Sequence, residues 1–130
     1  MRIKRPDKKN ALSILQAARR EMEFTQSLEI TEQSGSTIIR NIYECFRMLG
    51  DSLLISKGIE TKDHLEPIKE LTSLKVKTDR PIRLVDNLRR LRHSINYYGY
   101  KPSTEEVREA KAIAKSLFKP LESEVKRRIA

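Results

Sequence analysis

Cysteine is almost absent from this chain of 130 residues, and its absence restricts the chemistry that the chain can carry. The single cysteine, Cys45, cannot form a disulfide within the chain, and a metal site built from cysteines is excluded. Both points favour a reducing, cytoplasmic location. Because Cys45 lies among apolar residues of a helical segment, we interpret it as a packed core thiol rather than a reactive one.

Long apolar runs and alternating patterns are absent as well. No segment approaches the ~18 apolar residues of a membrane-spanning helix, so we expect no insertion into a membrane. The basic residues Arg2 to Arg5 are not followed by an apolar stretch, and we therefore expect no signal peptide. No alternation of apolar and polar residues persists long enough to predict a sheet.

The periodicity that is present is helical. Apolar residues recur at spacings of three and four over residues 7–29, 37–57, 62–74, about 79–98 and 104–130. Gly58 and Gly99 are expected to end the second and fourth helices, Ser103 and Glu106 to form a capping box, and Pro120 to kink the fifth helix. We expect Leu84, Leu88, Leu91, Ile95 and Tyr98 to form the buried seam of the fourth helix. Residues 1–130 are thus predicted to form one all-α domain, an up-and-down bundle of four main helices and one short helix.

Charge points to the class of partner. Lysine and arginine number 27 against 18 aspartate and glutamate, which gives a formal net charge of +9. Such an excess favours anionic partners, among them RNA, DNA, nucleotides and acidic proteins, without choosing between them.

The most informative stretch is Leu88 to Tyr100, which holds three arginines, one histidine, one asparagine and three tyrosines. Helical spacing places the candidate ligand-binding residues side by side on the fourth helix: Arg89, Arg92, His93, Asn96 and Tyr97. Arginine suits phosphate oxygens, and histidine can move protons near neutral pH, so Arg92 and His93 are also the candidate catalytic residues of an RNA-cutting site. The alternative is a solvated helix face whose charges have no ligand.

Other kinds of site have little support in the sequence. The two histidines, His64 and His93, are far apart and have no ligand spacing around them, so we expect no metal. His64 is interpreted as a local packing or capping residue. A glycine-rich phosphate loop, a nucleophile elbow and a catalytic carboxylate cluster are all missing, and we expect no cofactor.

Four segments carry a resemblance to a known family. They are Ala17 to Phe24, Ile42-Tyr43-Glu44 with Leu53, Gly58 and His64, Leu88 to Tyr97, and Ala110 to Leu121. In order and spacing they resemble the HEPN superfamily (higher eukaryotes and prokaryotes nucleotide-binding domains). The resemblance implies a helical bundle that forms a homodimer, with the signature helices meeting at a cleft. Family members include metal-independent RNases of toxin–antitoxin and antiviral systems, partners of small nucleotidyltransferases, and non-catalytic binding domains.

The family signature is incomplete in this sequence. Arg92 aligns with the signature arginine and His93 with the polar residue after it, but Tyr97 stands where the catalytic histidine is expected. Tyrosine is a poor base at neutral pH. We therefore predict a non-catalytic homodimer that binds RNA or a nucleotide, beside a nucleotidyltransferase or an antitoxin. The alternatives are an RNase that uses Arg92 and His93, and a structural adaptor.

Overall fold

A computed structural model describes the main chain of residues 2–63 and 65–130, together with the side chains from residue 3 onward in those ranges. The role predicted for His64 lies outside the described residues. Within them the chain forms five helices and one pair of short strands: β1 (Arg2–Ile3), α1 (Lys8–Ser27), α2 (Gly35–Ser56), β2 (Ile59–Glu60), α3 (Leu65–Thr72), α4 (Leu84–Tyr98) and α5 (Thr104–Ile129). The predicted all-α bundle is confirmed.

Helix α2 lies at the centre of the bundle and packs against the other four helices. It is apolar around more than one face, which suits a helix with neighbours on several sides. Phe46 is fully buried and meets Phe118 of α5 edge to face, with ring centroids 5.6 Å apart. Cys45 is also buried, and burial raises the pKa of its thiol to about 12, so the interpretation as a core thiol is confirmed.

The local signals at helix ends are largely confirmed. Gly58 and Gly99 have φ angles of 79° and 64°, the left-handed conformation that glycine adopts without a steric cost. The capping box is present, because the amide of Ser103 donates to Glu106 Oε1 at 2.9 Å and the amide of Glu106 donates to Ser103 Oγ at 3.1 Å. Helix α5 is continuous through Pro120, and the kink expected at this proline stays a prediction.

The buried face of α4 differs from the predicted seam. Val85, Leu88 and Ile95 are buried, Leu84 and Leu91 are half-buried, and Tyr98 is 78% exposed, so its placement in the seam was wrong. At roughly 100° per residue, the observed face is rotated by about 50° from the predicted one, toward Val85. This rotation brings Arg92 against α2, where it lies over the ring of Tyr43.

The start of α4 and the strand pair were also not predicted. Helix α4 begins at Leu84 rather than near residue 79, and residues 81–84 form a turn closed by a bond from the amide of Leu84 to the carbonyl of Pro81. β1 and β2 pair antiparallel over two residues each, which is too short to show a period in the sequence. This pair fastens the N-terminal segment beside the connection that leads into α3.

No helix among the described residues combines the length and the apolar character needed to cross a bilayer.

Candidate anion-binding site

An open groove of about 340 Å³ lies between α4, α2 and the connection from β2 to α3; we name it the α4 groove. Its lining comes from three parts of the sequence: Tyr43 of α2; Lys62, Asp63 and Leu65; and Arg89, Arg92, His93 and Tyr97 of α4. Helix α4 supplies the permanent positive charge, and the connection adds a lysine. Cationic side chains therefore line the groove from two parts of the chain, α4 and the β2–α3 connection.

Most of the predicted site residues meet at this groove. Four of the five line it: Arg89, Arg92, His93 and Tyr97. Asn96 is not among the lining residues, and its Oδ1 accepts a hydrogen bond from Arg40 Nε of α2 at 2.7 Å. The asparagine thus ties α4 to α2 at the edge of the predicted patch.

The arginines of α4 differ in their partners. Arg89 Nε donates to Asp86 Oδ1 at 2.7 Å, and Arg90 Nε lies 3.2 Å from Asp86 Oδ2. In contrast, no carboxylate in the described part of the chain lies within ion-pairing distance of Arg92. Its guanidinium carbon is 5.3 Å from the centroid of the Tyr43 ring, which is a cation–π contact. Arg92 is therefore the arginine of the groove whose charge is available to a ligand.

Asp86 restrains the neighbouring charges, and removing its carboxylate tests that role. The hydrogen bond from Arg89 lowers the pKa of Asp86 below its ordinary value of 3.8. The contribution of the Asp86–Arg89 pair to the free energy of unfolding is therefore complete above the pKa that Asp86 has in the unfolded chain. It is lost as the pH falls through the lower pKa that Asp86 has in the folded chain. We expect Asp86→Asn to reduce the free energy of unfolding at neutral pH by about 0.5 kcal/mol, with the difference from wild type vanishing in acid.

The same substitution should raise the affinity for a phosphate-containing ligand a few-fold, because it releases Arg89 and adds one net positive charge. Glu105→Gln removes the same charge beside Arg108 on α5, away from the groove lining, and serves as the matched control. Urea unfolding and a binding titration measure the two effects. Equal affinities of the two variants would contradict the assigned role of Asp86.

The rings of His93 and Tyr97 line the groove, and the ring of Tyr98 lies next to them. The His93 ring lies 4.6 Å from the Tyr97 ring and 5.8 Å from the Tyr98 ring, measured between centroids. Tyr97 is 66% exposed although it lines the groove. Exposed rings next to cations are a surface on which unpaired bases stack. The groove therefore combines cationic side chains with an exposed aromatic ring.

Tyr43 and Lys62 belong to the groove but were not among the predicted site residues. In the sequence, Tyr43 is one more large residue beside the stripe of α2, and Lys62 is a single lysine near a helix start. Neither has a local pattern that relates it to α4. Only the packing of α2 and of the β2–α3 connection against α4 brings these residues to Arg92.

Comparisons with models of known protein families, with curated proteins and with solved structures gave no match to this chain. No relative therefore assigns a role to the residues of the α4 groove. Within the described residues, no group of three or more histidine, cysteine, aspartate or glutamate side chains is arranged to hold a metal ion. Asp63 brings a carboxylate to the lining, and its Oδ1 accepts a bond from the amide of Leu65 at 2.7 Å.

Proposed function

We propose that this chain is a dimeric, HEPN-like domain that binds RNA or a nucleotide through the α4 groove. The observation that carries the proposal is the position of Arg92, which lines the groove and has no carboxylate partner among the described residues. A guanidinium held on an aromatic face keeps its outer donors for a ligand, and their fork geometry matches phosphate oxygens.

The other groove residues have complementary roles in this proposal. Arg92 binds the phosphate, Lys62 adds charge from the β2–α3 connection, and the exposed ring of Tyr97 stacks on a base. Asn96 lies beyond the groove lining with its oxygen held by Arg40, so its amide nitrogen would meet a base edge only in a longer RNA. The ligand class with all of these features is a nucleotide, either free or within a single strand.

Dimerisation and a protein partner complete the proposal. The resemblance to the HEPN superfamily implies that two signature helices face each other, and the exposed Tyr98 at the end of α4 provides an amphipathic surface there. Sedimentation at several concentrations measures the mass in solution. A small nucleotidyltransferase or an antitoxin is the partner that the resemblance implies.

A salt titration tests the binding proposal. Fluorescence anisotropy with a labelled single-stranded RNA measures the affinity from low to physiological salt. Each phosphate neutralised on a single strand contributes about −0.7 to the slope of log K against log salt, so two to three contacts predict a slope between about −1.4 and −2.1. Steep salt dependence supports the proposal, whereas no affinity at low salt would favour a structural adaptor.

One observation favours a second candidate, a metal-independent RNase. His93 is exposed and lines the groove beside Arg92, so an imidazole and a cation without a carboxylate partner among the described residues line the same groove. Attack by a ribose 2′-hydroxyl needs proton transfer and stabilisation of the developing charge, which these two groups could supply. Incubation of RNA with a chelator present tests this candidate. Cleavage that disappears in His93→Ala would establish it in place of a binding-only role.

A further inference from the structure

The hydroxyl of Tyr43 is buried, and no neighbour in the part of the chain that the structure describes forms a hydrogen bond with it. Tyr43 is 1% exposed, and among the described residues its hydroxyl is the buried side-chain group without a hydrogen-bond partner. Buried polar groups are nearly always hydrogen-bonded, because burying one without a partner destabilises the fold. A phenylalanine would fill the same space in α2 without that cost. Packing of the core therefore does not explain why this residue has a hydroxyl.

The surroundings of the phenol fit a role as a donor to an anion. Tyr43 lines the α4 groove, and the guanidinium of Arg92 lies over its ring. Burial raises the pKa of Tyr43, an effect that the positive charges of Arg92, Arg47 and Arg89 oppose but do not overcome. The group consequently stays protonated at neutral pH, and a protonated phenol can donate a hydrogen bond to an anionic oxygen.

The nearby arginines do not prevent the Tyr43 hydroxyl from donating a hydrogen bond to a ligand. Arg47 is held by Glu44 and Asp51 on α2, and Arg89 is held by Asp86, so both already have acidic partners. Arg92 lies over the ring through a cation–π contact instead of an ion pair with the described carboxylates. A shift of this guanidinium toward an entering anion would therefore break no ion pair with a described carboxylate, and it would expose the face of the ring that the guanidinium now covers.

We propose that the Tyr43 hydroxyl donates a hydrogen bond to a phosphate oxygen bound in the α4 groove, between the charges of Arg92 and Lys62. This inference rests on the proposed function and assigns a binding residue on α2, a helix that sequence reasoning did not connect with the site. The chemistry it requires is a phosphate oxygen, which a free nucleotide and an RNA backbone both carry. Tyr43 makes the site selective for an acceptor that reaches the phenol hydroxyl, beyond what charge alone would select.

Tyr43→Phe tests the inference, because it removes one oxygen and keeps the ring under Arg92. Titrations with inorganic phosphate, with a nucleoside 5′-monophosphate and with single-stranded RNA compare the variant with wild type. We expect a loss of roughly tenfold in affinity, typical of a hydrogen bond to a charged group. Loss for the mononucleotide identifies a terminal phosphate as the acceptor, and loss for RNA alone identifies the backbone.

Thermal unfolding separates this role from a structural one. Tyr43→Phe should be as stable as wild type or more stable, since the hydroxyl has no partner among the described residues. Tyr100→Phe removes the hydroxyl of a tyrosine that donates to Glu106 outside the groove lining, and it should leave binding unchanged. Wild-type affinity in Tyr43→Phe would overturn the inference and leave the proposed function standing. Absence of binding in wild type itself would overturn both.

Discussion

An Arg92→Gln variant is expected to lose roughly tenfold to a hundredfold in affinity for single-stranded RNA, the effect of removing a charged hydrogen-bonding partner of phosphate. Arg92 lines the α4 groove and has no carboxylate partner in the described chain, so its charge is not already neutralised. The slope of log K against log salt should become shallower by about 0.7, which is the contribution of one phosphate contact on a single strand. Anisotropy titrations at several salt concentrations measure both quantities.

Arg108→Gln provides the control with the same change in net charge. Arg108 lies on α5, is 62% exposed, pairs with Glu105 and does not line the groove. A general effect of net charge would lower the affinity of the two variants equally, whereas a site at Arg92 lowers only one. Loss of the cation–π contact with Tyr43 should reduce stability by about 0.5–1 kcal/mol, too little to unfold the bundle. Equal affinities of Arg92→Gln and Arg108→Gln would contradict the site.

A Gly50→Ala variant is expected to lose about 3 kcal/mol of unfolding free energy, or about 10 °C in Tm. Elsewhere inside a helix this substitution stabilises by about 1 kcal/mol, because alanine has the higher helix propensity. At Gly50 a Cβ would lie 2.1 Å from the carbonyl oxygen of Pro67, a backbone atom that cannot rotate away. Helices α2 and α3 would have to move apart, and calorimetry measures the cost.

Gly99→Ala distinguishes this clash from the general cost of replacing a glycine. Gly99 has a φ of 64°, and a Cβ there would meet no atom within 4 Å, so only backbone strain of about 1 kcal/mol opposes the substitution. Gly50→Ala should therefore be the less stable of the two by a clear margin. A Gly50→Ala protein as stable as wild type would show that α2 and α3 do not approach at this residue.

The helices and their ends were predictable because their signals are local. The spacing of apolar residues in α2, the capping box at Ser103 and the glycines at positions 58 and 99 each act within one or two helical turns. The two-residue strands β1 and β2 have no such signal, since they form only when distant segments meet. Tyr98 was assigned to the core because period alone does not show which side of an apolar stripe is covered.

The candidate site was also predictable only in part from the sequence. The cluster of Arg89, Arg92, His93 and Tyr97 follows from helical spacing, and the structure places all four at one groove. The partners of these residues do not follow from spacing. Whether an arginine is neutralised depends on side-chain geometry, and here Asp86 holds Arg89 while Arg92 lies on Tyr43.

By itself, the sequence determined an all-helical chain, the approximate limits of its helices and a basic cluster on the fourth helix, because each depends on interactions between residues close together along the chain. Only the tertiary structure decided which face of α4 turns inward, and with it the position of Arg92. It alone brought Tyr43 and Lys62 to the groove, because contacts between α2, α4 and the β2–α3 connection join residues that no local pattern relates.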